Sequence, residues 1–177
     1  VIVVAFSGFC DMAIGAARLL GVDVYENLDR PLLSRTPAEF WKRWNVSMYR
    51  WLMTHVFYPF WDHQRVTAKI VTVFAVSAAW HAAALRVLTV DSAVEMFLAM
   101  GLNCFGVLVT VWLAGSPWGA RRRERSRGTR RIGGLLGIGV TVLFMTLVFQ
   151  LFAAGLAGRS LEQTGRLFHA LLFGAPS

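Results

Sequence analysis

Residues 132–157 run without a single charged side chain. At 1.5 Å rise per residue, such a stretch is long enough to cross a hydrocarbon core about 30 Å thick. Residues 1–22, 66–90 and 93–114 have comparable length and apolarity, so four membrane spans are expected. The whole chain is 56% apolar before its glycines are counted and only 16% charged. A soluble domain of this size needs more charge to cover its surface. Disordered and nucleic-acid-coating proteins are excluded on the same ground. The expected fold is all-α: a polytopic helical membrane protein, with lipid as its main partner and no nucleic acid.

Orientation follows from the basic residues. Between the third and fourth spans, residues 115–131 hold seven arginines (Arg121, Arg122, Arg123, Arg125, Arg127, Arg130 and Arg131) against the single acid Glu124. Lys- and Arg-rich loops stay cytoplasmic. Tracing back through two spans puts residues 23–65 on the same side, and that segment is itself basic, with Arg30, Arg35, Lys42, Arg43, Arg50 and Arg65. The short 89–92 connection and the stretch after residue 157 then lie outside. The chain opens Val-Ile-Val-Val with no basic region ahead of the apolar run, which is not a signal peptide and reads as part of something longer. Cys10 and Cys104 sit inside apolar runs as small buried hydrophobes.

Charge recurs too often in residues 23–65 for that segment to span, yet it holds Trp41, Trp44, Trp51 and Trp61. Thr36-Pro37-Ala38-Glu39 is a capping box with proline at the first helical position. From there Phe40, Trp41, Trp44, Met48, Trp51 and Leu52 keep helical spacing, which predicts one amphipathic helix over 37–52 lying in the headgroup plane and ending near Tyr58-Pro59. Residues 160–173 form a second, shorter amphipathic segment outside.

Ionisable groups inside spans need a reason. Asp11 and Arg18, seven apart beside Gly8 and Gly15, read as a structural pair on a face able to pack closely against another helix. Lys69 and Arg86 lie near span ends and can snorkel. His81 cannot, lying about 12 residues beyond Lys69 among small residues that leave room for a cavity. It is open between a packing residue and a group that handles protons, because imidazole titrates near neutral pH. Metal-ligand spacings, phosphate-binding loops, a Gly-x-Ser-x-Gly elbow and the His-x-x-x-x-Asp acyltransferase signature are all absent from the sequence.

Three motifs in order resemble the membrane-bound O-acyltransferase family. Phe6-Ser7-Gly8-Phe9-Cys10-Asp11 resembles its Phe-Ser-Gly-x-x-Asp span. Glu26-Asn27-Leu28-Asp29-Arg30-Pro31, running on to Phe40-Trp41-Lys42-Arg43-Trp44, resembles the cytoplasmic stretch of the bacterial branch with alginate O-acetyltransferases and teichoic acid D-alanyl transferases. Trp80-His81 is similar to the family's intramembrane histidine. Two departures stand out. Asn45 follows Arg43-Trp44 where that branch carries histidine, and Phe57-Tyr58-Pro59-Phe60-Trp61-Asp62 replaces a Tyr-x-Pro-x-Gly-Gly sequence.

The resemblance implies part of a larger fold that transfers an acyl group from a thioester donor, acyl-CoA or a carrier-protein thioester, to a hydroxyl of a polysaccharide or lipid acceptor. No bound cofactor is implied, and accessory acylation proteins are possible partners. It implies His81 as general base, Asn45 as a hydrogen-bonding partner of the reacting groups, and Trp44, Trp80 and Arg43 as substrate-binding residues. Arg43 and Arg50 would face a phosphorylated carrier. The alternatives are a transporter or channel segment in which His81 and Asp11 relay protons, and a catalytically inactive family member. The implied compartment is the inner, or cell, membrane.

Overall fold

The computed structural model describes residues 2–59, 65–84, 90–117, 119, 127–156 and 166. Among these the structure is helical, with no strand beyond one isolated bridge between Leu28 and Trp44. Three long helices form the frame: α4 (Val66–Ala84), α5 (Val90–Gly115) and α6 (Arg127–Leu156), with α5 packed against both of the others. Segments of 18, 22 and 23 residues within them, Val66–Ala83, Val94–Gly115 and Arg131–Ala153, are long and apolar enough to cross a membrane.

The first helix, α1 (Ile2–Leu19), has 18 residues and carries Asp11 and Arg18. It spans about 27 Å and is not among those three segments, so three spanning helices stand where the sequence suggests four. The chain leaves α1 through Gly21 at φ +75°, where Val22 N–H reaches the Ala17 carbonyl at 2.9 Å and Gly21 N–H the Arg18 carbonyl at 3.0 Å. That double bond pattern requires a left-handed residue, which glycine supplies without strain. The expected Asp11–Arg18 pair does not form: Arg18 reaches Glu26 at 3.5 Å instead, and Asp11 is exposed. A Cβ at Gly8 or Gly15 would meet nothing within 4 Å, so neither glycine makes the close helix contact expected of it among the described residues.

The segment between α1 and α4 corrects the sequence reading most. Instead of one helix over 37–52 there are two, α2 (Pro37–Arg43) and α3 (Val46–Leu52), the second continuing into a π turn at Met53–Phe57. The capping box opens α2 as expected: Glu39 N–H donates to Thr36 Oγ1 at 3.2 Å, while the Glu39 carboxylate accepts from Arg35 N–H at 2.8 Å. The break falls at Asn45, held at φ +47° and ψ +60°. Asparagine is among the few side-chain-bearing residues that adopt this conformation readily.

The two short helices form a hairpin set into the bundle. Phe40 of α2 and Trp44, which caps its end, pack with Met145 of α6, against Phe6 and Phe149. Going down α3, the Trp51 ring lies 6.0 Å from Trp80, Leu52 and Val56 pack around Val73, and Phe57 lies under Lys69. The hairpin therefore runs along α6 on its first arm and back along α4 on its second. Irregular backbone packed inside a bundle needs internal hydrogen-bond partners. They are present: Val46 N–H bonds the Asn27 carbonyl and Asp29 N–H the Arg43 carbonyl, both at 2.9 Å.

Lys69 does not snorkel. Its side chain is buried, 6% exposed, with Nζ 5.3 Å from the centre of the Phe57 ring. Cys10 and Cys104 are free and buried. Helix α6 begins at Arg127, so the last three arginines of the basic loop stand on its first turns rather than ahead of it. Arg86, Trp61, His63, the remaining arginines of that loop and the amphipathic 160–173 stretch, Arg166 apart, lie outside the described residues.

Candidate functional site

A cavity of about 600 Å³ opens between the hairpin, α4, α5 and α6. Its wall is mainly apolar, built by Phe6, Trp41, Trp44, Val73, Phe149 and Phe152 among others. The polar groups in that wall are few: Lys42, Asn45, Tyr49, Tyr58, Ser77, His81 and Asn103. A largely apolar cavity with a few convergent polar groups is the usual form of a small-molecule site. Burial, with a smaller contribution from Tyr58, pushes the Tyr49 phenol above its ordinary value and keeps it neutral.

His81 and Asn45, chosen from sequence, line this one cavity although 36 positions separate them, and Trp44 joins them. The other two expected residues do not. Trp80 points away, 53% exposed against Trp51, and Arg43 is paired with Glu39 at 2.7 Å. Arg50 is stacked over the Tyr25 ring at 4.4 Å. The cation at the wall is Lys42, next to Arg43 in sequence. Asp11 is not in the wall, so the cavity assembles no His81–Asp11 relay.

The tautomer of His81 follows from one contact. Nδ1 lies 2.7 Å from the backbone carbonyl oxygen of Ser77, one turn back on α4. A carbonyl can only accept, so Nδ1 carries the proton and donates it. In the neutral ring the lone pair is then on Nε2. The edge of the ring packs against Phe152 at 5.6 Å, which limits its rotation.

The orientation of the Asn45 amide follows by a similar argument, through Asn27. The backbone N–H of Ser47 donates to Asn27 at 2.9 Å, and since that N–H can only donate, the atom it meets is Oδ1. Asn27 Nδ2 therefore faces Asn45 at 3.2 Å, and the Asn45 atom receiving it is Oδ1. The Ser47 hydroxyl lies 3.2 Å from the same oxygen. With its oxygen held from behind, Asn45 has its NH₂ left to donate. Asn27, which also reaches Cys10 Sγ at 3.5 Å and so ties this network to α1, is a positioning residue that sequence reading missed. In the sequence it stands among Glu26, Asp29 and Arg30, where one more polar residue carries no signal.

Chemically, the cavity wall brings together a histidine whose neutral ring has its lone pair on Nε2 and an asparagine whose amide oxygen is already engaged. That is the minimum for moving a proton off an attacking group while stabilising a negative oxygen.

The profile of the membrane-bound O-acyltransferase family matches residues 1–147. Among similar proteins, a probable alginate O-acetylase of Azotobacter vinelandii is 30% identical over 82 residues, 44% of this chain and 16% of its own length. A peptidoglycan O-acetyltransferase of Helicobacter pylori is 29% identical over 82 residues, again 44% and 16%. A teichoic acid D-alanyltransferase of Bacillus subtilis is 23% identical over 159 residues, 84% of this chain and 37% of that protein. The chain thus spans from about a sixth to just over a third of these relatives.

Proposed function

The chain belongs to the membrane-bound O-acyltransferase family, and from that premise we propose that it carries the reaction centre of an enzyme moving an acyl group from a thioester to a hydroxyl. His81 Nε2 takes the proton of the acceptor hydroxyl as that oxygen attacks the thioester carbonyl carbon. The carbonyl oxygen becomes negative and accepts a hydrogen bond from Asn45 Nδ2. Collapse breaks the carbon–sulfur bond, and the proton on Nε2 passes to the departing thiolate. No acyl-enzyme is needed.

The observation that carries this reading is the Ser77 carbonyl at 2.7 Å from His81 Nδ1, which leaves Nε2 basic in the cavity that Asn45 shares. Loss of transfer in His81→Ala tests it.

The names of the relatives, an alginate, a peptidoglycan and a teichoic acid enzyme, support a polysaccharide hydroxyl as the acceptor, with a lipid hydroxyl as the second candidate. We propose acetyl as the first acyl group to try, and accessory acylation proteins as partners. The amphipathic hairpin supports entry of the donor on the cytoplasmic side, past Lys42, whose ammonium suits a phosphorylated carrier. The arginine count between α5 and α6 supports that orientation in the inner membrane. Helix α1 is read as a fourth, shorter span, with Asp11 and Arg18 turned from the hydrocarbon by further protein.

A further inference from the structure

Two buried polar atoms of the cavity wall have no hydrogen-bond partner among the described residues, and the reaction scheme uses neither. They are Trp41 Nε1 and Asn103 Oδ1. Asn103 is 2% exposed, and its NH₂ is anchored on the Ala99 carbonyl at 3.0 Å, so its unpartnered atom is the acceptor Oδ1. Trp41 offers only a donor. Unpaired buried polar groups are costly, and such atoms in a native fold call for a partner.

The contacts put the two atoms at one height. Pro37 of α2 abuts Gly106 of α5, and Ala38 packs against the cluster containing Val107. The helices run in opposite senses, so one turn forward along α2, at Trp41, matches one turn back along α5, at Asn103. Phe74 of α4 marks that height: it meets Trp41 edge-on at 5.9 Å and packs against both the cluster that holds Cys104 and the one that holds Met100. His81 is seven residues beyond Phe74 on α4, roughly 10 Å along the helix. The wall therefore holds an unpartnered donor and an unpartnered acceptor at one height, about 10 Å along α4 from the base.

A secondary amide has the complementary pair, an N–H and a C=O. Resting on the acyl-transfer reading above, we propose that Trp41 and Asn103 bind an amide in the arm of a pantetheine thioester. Asn103 Oδ1 accepts the amide N–H, and Trp41 Nε1–H donates to the amide carbonyl. With the thioester carbon at His81, bonds of about 1.3–1.5 Å bring the arm's second amide to roughly this distance. The pair would then set how deep the donor enters, and both residues act as positioning groups.

The test uses the protein in lipid nanodiscs and two unreactive thioethers: S-propyl-pantetheine, and its analogue with an ester oxygen replacing the N–H of the second amide. The expected result is that the amide compound binds roughly tenfold tighter than the ester, and that Asn103→Leu closes that gap. Trp41→Phe should weaken the amide compound by a similar factor. Equal binding of the two compounds by the unaltered protein overturns the proposal without any variant having to fold, as does a gap that survives Asn103→Leu, or binding of neither compound. A separate transfer assay distinguishes the two readings. Transfer with no amide preference removes the clamp alone, whereas the preference without transfer in the unaltered protein removes the proposed reaction.

Discussion

The Nδ1 atom of His81 donates to the carbonyl oxygen of Ser77 at 2.7 Å, one helical turn earlier, and this contact places the lone pair of the neutral ring on Nε2. A backbone carbonyl orients the base, so the arrangement does not depend on the Ser77 hydroxyl, which stands 3.5 Å from the same nitrogen. Ser77→Ala should therefore keep acyl transfer within about threefold. A loss near that of His81→Ala would mean that the hydroxyl, and not the carbonyl, orients the ring.

The Asn27–Asn45 contact at 3.2 Å yields a sharper expectation. In Asn27→Asp the carboxylate still accepts from Ser47 but has no N–H for Asn45 Oδ1. The Asn45 amide should turn over, directing Nδ2 to Asp and its oxygen into the cavity. The donor then becomes an acceptor, and transfer should fall by about 10²-fold, the scale of losing one oxyanion donor. Rates measured beside Asn27→Ser, whose hydroxyl can both donate and accept, check it: the serine variant should retain more activity than the aspartate.

Gly137 on α6 admits the loop that leads into the hairpin. A Cβ there would come within 2.7 Å of the Arg35 carbonyl oxygen, whereas one at Gly139 would meet nothing within 4 Å. Gly137→Ala should destabilise by about 1–3 kcal/mol through this backbone clash. Gly139→Ala should be neutral or stabilising by up to about 1 kcal/mol, as expected for a helix interior. Thermal unfolding of the detergent-solubilised protein compares the two, and equal midpoints would contradict the close approach.

The proposed orientation predicts that a reporter fused between residues 117 and 126 reads cytoplasmic, because the arginines of that loop resist translocation. An external reading would reverse the side from which the donor enters.

The three long helices were legible because an uninterrupted apolar run has few other solutions, and His81 was legible because an imidazole within such a run is costly. The hairpin was not. Trp41, Trp44, Met48 and Trp51 keep helical spacing in the sequence straight across Asn45, although the chain breaks there into two short helices. A left-handed asparagine looks in sequence like any polar residue. Arg43 and Lys42 were similarly hard to separate: adjacent helical positions diverge by about 100°, and only the Glu39 contact shows which cation is engaged. Asn103 was invisible within a span rich in small and apolar residues, because its significance lies in an oxygen that finds no partner.

The central claim is that His81 is the base and Asn45 the donor of one acyl transfer. The most direct measurement is the steady-state transfer rate from an acyl thioester in the protein with His81→Ala, alongside Asn45→Gly, which suits the φ of +47° at that position while removing the amide. Expression and membrane insertion should be unchanged in both. His81→Ala should lower transfer by on the order of 10²–10⁴-fold. Asn45→Gly should cost less, and Asn45→His should keep part of the rate. Transfer at the unaltered rate in His81→Ala would leave the reaction without its base and contradict the account.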